Sequence, residues 1–119
     1  MIDQLFRIAL LYDFYGELLT DRQRLCLERH YFEDMSLGEI AEELFVSRQA
    51  VHDIIKRSTD SLDELEEKLG CLARHQTEQG LLMEASALLE KAQVEGYDAR
   101  YLAAAKNKID SLIVLKGGE

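Results

Sequence analysis

Apolar positions in this chain recur every three or four residues almost from end to end, the period of helices that bury one side. No alternating strand pattern of useful length occurs. Leu5, Ile8, Ala9, Tyr12 and Tyr15 fall on one side of a first predicted helix, Ile2 to Tyr15, and Leu11 and Phe14 widen that face. A face this wide suits burial against more than one neighbour, or a subunit contact. Gly16 interrupts the pattern. Thr20 then opens a second helix, with Gln23 completing a capping box and Asp21 in the first turn. Its stripe runs Leu25, Leu27, Glu28, Tyr31 and Phe32, and Glu33-Asp34 ends it.

The densest signal is S-L-G-E-I-A-E-E-L-F-V-S-R-Q-A-V-H-D-I-I-K-R, from Ser36 to Arg57, which holds two helix starts eleven residues apart. Ser36 and Glu39 form a capping box, and Ser47 is the second N-cap. Leu37, Ile40, Ala41 and Leu44 line the first short helix; Val51, Ile54 and Ile55 line the next. Two short helices joined by a few residues are the helix-turn-helix pattern. Ala41 is small where the helices cross, and Val46 packs beneath the turn. The second helix is the candidate recognition helix: Arg48, Gln49, His52, Asp53, Lys56 and Arg57 lie off its buried face. Arg can read guanine and Gln adenine, each through two hydrogen bonds, from the first turn of a helix set in a major groove.

With no Gly or Pro before Gly70, this helix is predicted to run long. Val51, Ile55, Ser58, Leu62, Leu65, Leu69 and Leu72 step by alternating fours and threes, a short heptad seam. The seam either folds back on the chain's own helices or pairs with a second copy. Leu62, Leu65 and Leu69 are the candidate dimer or partner residues, and a homodimer is the expectation. Gly70 and Gly80 are expected to loosen the next segment, with a bend or stop between Leu72 and Leu81. Leu81, Leu82, Ala85, Leu88, Leu89 and Ala92 then make a further helical face, and Tyr97 to Leu115 a last helix with Tyr101, Leu102, Ala105, Ile109, Leu112 and Ile113 as its stripe. Lys116 to Glu119 is expected to fray.

The expected architecture is all-α: a helix-turn-helix bundle over residues 1–70 with a long post-recognition helix, and a C-terminal helical extension over 71–119 packed on the same core or in a dimer interface. Leu, Ala, Glu and Arg dominate and proline is absent, which favours helix throughout. Charge pulls against the DNA-binding pattern. The 119 residues carry a formal net charge of −9 and a pI near 4.8, whereas a duplex-binding domain ordinarily carries a basic footprint. Asp60 to Gly96 holds nine acids against three bases, Thr20 to Thr59 eight against six. The recognition helix is locally basic, and an acidic C-terminal part lying over it would be autoinhibitory.

The N-terminus lacks a basic segment followed by an apolar one, and no stretch approaches the ~20 apolar residues of a membrane span. Cys26 and Cys71 are expected as free thiols in a soluble cytoplasmic protein, with no membrane insertion. Cys26 and His30 stand four apart, but two ligands do not make a structural zinc site, so no metal is expected. No Gly-rich phosphate loop, nucleophile turn or carboxylate pocket appears. No catalytic residue and no cofactor is expected.

The run L-L-T-D-R-Q-R-L-C-L-E-R-H-Y-F-E-D-M-S-L-G-E-I-A-E-E-L-F-V-S-R-Q-A-V resembles region four of bacterial sigma factors, with Leu19, Arg22, Arg24, Leu27, Tyr31, Ser36, Glu39, Ile40, Ala41, Val46, Ser47 and Val51 at the matching positions. L-Y-D-F-Y-G-E-L-L-T-D-R-Q-R before it, and V-S-R-Q-A-V-H-D-I-I-K-R behind, look like the YlxM-like family; the resemblance covers Leu11 to about Leu69. It implies a small all-helical regulatory or accessory protein of the signal recognition particle pathway, with the particle's protein or RNA as partner. The residues alone leave open a sequence-specific regulator of duplex DNA and a helical dimerisation module. Arg48, Gln49, His52, Lys56 and Arg57 are the expected nucleic-acid contacts. Phe45 departs from the pattern, standing in the turn where Gly or Asn is usual. A left-handed position is costly for an aromatic, so a turn of different shape is expected. The part from Cys71 onward matches poorly.

Overall fold

The computed structural model describes residues 2–96 and 98–117, with side chains over 3–96 and 98–114. Six α-helices make the described chain: α1 (Ile2–Tyr15), α2 (Asp21–Leu27), α3 (Leu37–Leu44), α4 (Arg48–Leu69), α5 (Cys71–Val94) and α6 (Ala99–Gly117). A 3₁₀ turn, Gly16–Leu18, follows α1, and α2 continues as a single π turn over Glu28–Phe32. No strand occurs among the described residues. The fold class is all-α, as expected.

The helix starts are set by local chemistry. Thr20 accepts from the Gln23 amide at 3.2 Å while Gln23 Oε1 takes the Thr20 amide at 3.0 Å. Ser36 and Glu39 repeat the exchange at 3.1 and 2.9 Å, and Ser47 Oγ accepts from the Ala50 amide at 3.0 Å. Each satisfies donors that the first helical turn leaves orphaned. Gly16 is buried, and a Cβ there would sit 3.1 Å from the Tyr12 ring, closer than ordinary contact.

The chain divides into two compact units, Met1–Leu72 and Ala73–Glu119. In the first, α4 is the central helix, packed against α1, α2 and α3. Its buried side, Val51, Ile55, Ser58 and Leu62, meets Ile8, Leu11 and Tyr15 of α1, Cys26 and Leu27 of α2, Ile40 and Ala41 of α3, and Leu72. Ser58 is wholly buried, and its hydroxyl donates back to the Ile54 carbonyl at 2.7 Å. The heptad seam is therefore largely an intramolecular core. Leu62 has no exposed surface, which removes it from the expected partner seam; Leu65 is half-buried and Leu69 is 49% exposed.

A polar junction fixes the end of α4. Gly70 takes a left-handed conformation, φ 64°, and its amide bonds to the Glu66 carbonyl at 2.8 Å. The Tyr15 hydroxyl donates to Glu66 Oε1 at 2.7 Å and accepts from the Cys71 amide at 3.0 Å. Glu66 Oε1 also takes the Leu72 amide at 3.0 Å. Two orphan donors of α5 are thus satisfied by side chains from α1 and α4. Burial, followed by the bond to Glu66, pushes the Tyr15 hydroxyl pKa well up.

Within the second unit, the parts of α5 and α6 run antiparallel: Lys108 bonds Glu84 at 2.8 Å, and Lys91 Nζ lies 5.0 Å above the Tyr101 ring. Among its described residues, Ala85, Ala92 and Ala105 are buried. Asp98 accepts from the Arg100 amide at 2.8 Å at the start of α6. Its carboxyl pKa is lowered, first by the bond from the Arg100 side chain. Gly80 does not interrupt α5, contrary to the expected bend or stop; one glycine costs a helix only about 1 kcal/mol. Tyr97, the expected start of the last helix, lies outside the described residues, as do Gly118 and Glu119 of the expected frayed tail. The helix reaches Gly117, two residues into that tail.

Counted by unit, the same charges divide differently. Residues 1–72 hold sixteen acids against eight bases, and residues 73–119 seven against six. The acids Asp60 to Glu67 belong to α4 itself. The C-terminal unit is nearly neutral.

Candidate nucleic-acid interface

The site is the exposed side of the first ten residues of α4. Ser47 sets its start, and Val51 and Ile55 anchor its inner side in the core. Arg48, Gln49, His52, Lys56 and Arg57 are all exposed. At about 100° per residue they fan over roughly half the helix circumference, from Arg48 on one flank to Arg57 on the other.

Asp53 stands within this fan, between Gln49 and Arg57. Gln49 Nε2 donates to Asp53 Oδ1 at 3.0 Å, and His52 Nδ1 lies 3.6 Å from the same oxygen, a charge pair only when the imidazole is protonated. Lys56 pairs with Asp60 at 3.3 Å. Among the described residues neither Arg48 nor Arg57 has an ion-pair partner. A cleft of about 250 Å³ borders the site, lined by His30, Tyr31, Leu37, His52, Ile55, Lys56 and Thr59.

The turn into α4 keeps the left-handed position despite its aromatic residue, so the expected change of shape does not occur. Phe45 has φ 57° and ψ 43°. Its amide bonds to the Glu42 carbonyl at 3.4 Å, and the Val46 amide to the Ala41 carbonyl at 3.1 Å. These are the two bonds of a Schellman motif, which usually carries Gly at this place. Ala41 is buried and Val46 packs on the core beneath the turn, as expected. Phe45 itself is 94% exposed. Its residue type marks it as a departure in the sequence; its full exposure has no sequence signal.

Behind the turn, Arg29 on the π turn clamps α3. Its guanidinium bonds Glu33 at 2.7 Å and Glu43 at 3.0 Å, and these bonds raise its pKa. Tyr12 donates to the Glu28 carboxylate. Burial, then that bond, pushes its hydroxyl from 10.0 up to about 12. Cys26 is wholly buried, which raises its thiol pKa, and His30 Nδ1 lies 3.2 Å from the Met35 carbonyl. Each has its own surroundings, and no group of three potential metal ligands occurs among the described residues. No described helix is long and apolar enough to cross a membrane.

With this geometry in view, the chain matches the family model described as "Putative helix-turn-helix protein, YlxM / p13 like" over residues 2–99. It is 50% identical over 91 residues to UPF0122 protein lwe1821 of Listeria welshimeri, covering 76% of this chain and 83% of the relative. It is 51% identical over 88 residues to UPF0122 protein STH1464 of Symbiobacterium thermophilum, covering 74% and 82%. The family match runs well past Cys71, further than the sequence resemblance suggested. It ends at Ala99, where α6 begins.

Proposed function

The chain belongs to the YlxM / p13-like family of helix-turn-helix proteins, and from that premise we propose that it is a regulatory protein of the signal recognition particle pathway that docks nucleic acid on α4. One observation carries this. Five nucleic-acid-type side chains, Arg48, Gln49, His52, Lys56 and Arg57, stand exposed on a helix whose opposite side is locked into the core. A rigid helix with its polar side exposed is what a reading surface requires. The pathway comes from the family resemblance. The net charge of the first unit argues against a protein that coats duplex indiscriminately.

The second reading is a sequence-specific regulator of duplex DNA. Arg48 and Gln49 in the first turn favour it, because these side chains read guanine and adenine edges. Self-pairing of two copies belongs to the proposal in either form, and sedimentation velocity reads it directly.

The test is a low-salt anisotropy titration of the full chain against labelled signal recognition particle RNA and against duplex from its own upstream region. Arg48→Ala and Arg57→Ala run beside wild type. RNA binding that both variants weaken supports the proposal; selective duplex binding selects the second reading. Binding to neither, with retention on the particle's immobilised protein, moves the contact to the acidic surface and ends the nucleic-acid role of α4.

A further inference from the structure

Phe45 is held in a left-handed conformation at φ 57° and is 94% exposed. The backbone conformation costs free energy, because a Cβ crowds the following carbonyl in this region, which glycine avoids, and the exposed ring gains nothing from burial in return. With 94% of its surface exposed, the side chain itself makes no packing that would offset this cost. The Schellman bonds are backbone bonds that glycine would make equally well, and the apolar contact of the motif is supplied by Val46. An outlier of this kind points to use by something outside the chain.

The surroundings select the occupant. Phe45 lies three residues before Arg48, across the Ser47 cap, and so belongs to the same end of α4 as the candidate reading surface. Of the acids that precede it, Glu43 is tied to Arg29. Between residues 33 and 68 no other large hydrophobic residue is exposed. An aromatic anchor for a protein pocket is ordinarily ringed by apolar neighbours that exclude water; along the helix-turn-helix this ring has no exposed large apolar companion. A fully paired duplex keeps its base faces stacked and offers only edges. An unpaired base offers a face, and stacking on an aromatic ring beside an arginine is a general means of holding one.

We propose that Phe45 is a stacking platform for an unpaired nucleobase, with Arg48 holding the adjoining phosphate. This rests on the nucleic-acid role of α4 and narrows its ligand to strands with unpaired bases. The chain has no tryptophan, so Phe45→Trp is a single-site reporter. Emission is expected to be quenched by an RNA hairpin with a single-stranded loop and left unchanged by a blunt RNA duplex. In anisotropy titrations Phe45→Gly and Phe45→Leu are both expected to weaken hairpin binding, about ten- to a hundredfold. The melting temperature of Phe45→Gly is expected to be equal to wild type or higher.

Hairpin binding undiminished in Phe45→Gly, with no quenching of Phe45→Trp, overturns the stacking role while the α4 reading survives through its Arg48→Ala loss. Equal binding of hairpin and blunt duplex overturns it as well. Retention of binding by Phe45→Leu alone assigns the ring to an apolar pocket and overturns stacking. Failure of wild type to bind either RNA removes the nucleic-acid reading and this proposal with it.

Discussion

Tyr15→Phe keeps the ring and deletes one oxygen, so its cost can be worked from the junction at the end of α4. The side chain is 2% exposed. The lost hydroxyl donates to the Glu66 carboxylate at 2.7 Å and accepts the Cys71 amide at 3.0 Å. A hydrogen bond to a charged group contributes about 1.5–3 kcal/mol and a neutral one about 0.5–1.5. Glu66 keeps its bond from the Leu72 amide, so its carboxylate is not stranded, and the low half of the combined range applies. The expected loss is about 2–3 kcal/mol, a large part of the ~5–15 kcal/mol that holds a domain folded. Urea unfolding at neutral pH, followed by far-ultraviolet circular dichroism, measures it. The midpoint should fall with the slope unchanged. A loss below about 0.5 kcal/mol would refute the reasoning, because it would mean that water replaces both bonds without cost.

Three further outcomes are expected. Ser47→Ala removes the cap of α4 and should cost about 1 kcal/mol in the same urea assay, since the Ala50 amide loses its partner. Leu62→Ala should cost about 2–5 kcal/mol as a core cavity, and wild-type-like stability with changed sedimentation would return this residue to a partner interface. Tyr12 has its pKa raised from 10.0 to about 12, so the folded state holds its proton more tightly than the unfolded chain does. That contribution is complete below the unfolded value and is lost as pH rises through the folded one. Melting temperature should therefore fall between these two values, with tyrosinate absorbance appearing late, and Tyr12→Phe should flatten the fall.

What the sequence made legible was local. Thr20 with Gln23, Ser36 with Glu39, and Ser47 each announce a helix start because the capping partner lies three residues away. The core face of α4 was legible for the same reason, since its period is a property of one helix. The heptad period could not say whose helices would fill it: Leu62 has the same spacing whether it meets α1 of its own chain or a second copy. The π turn at Glu28–Phe32 left no legible mark, because its one extra residue shifts the phase of the apolar stripe over only five residues, too short a run to show a new period. Gly80 misled because glycine in a helix of 24 residues is only a weak breaker. Phe45 misled in the opposite sense: steric cost argued for a different turn, whereas the backbone bonds and the Val46 contact impose the usual one.

The order of charge along α4 bears on what the helix is for. Its first ten residues carry Arg48, Lys56 and Arg57 against Asp53; its remainder carries Asp60, Asp63, Glu64, Glu66 and Glu67 against Lys68. A helix is stabilised by acids near its N-terminus and bases near its C-terminus. The first turn of α4 holds no acid and begins with Arg48, so the arrangement runs largely against the macrodipole, and helix stability does not account for it. Placed on a unit with sixteen acids and eight bases, three cations at one end of a helix cannot attract a polyanion from afar. In the proposed role they would act only at contact. Single strands release counterions with a slope of about −0.7 per phosphate neutralised. Arg48 and Arg57, with a Lys56 shared with Asp60, are therefore expected under that proposal to show a log–log salt slope of about −1.5 to −2 in the anisotropy titration. A slope near zero would show that no phosphate is held. A slope of about −5 or steeper would require more cations than this surface presents, and would place the contact elsewhere on the chain.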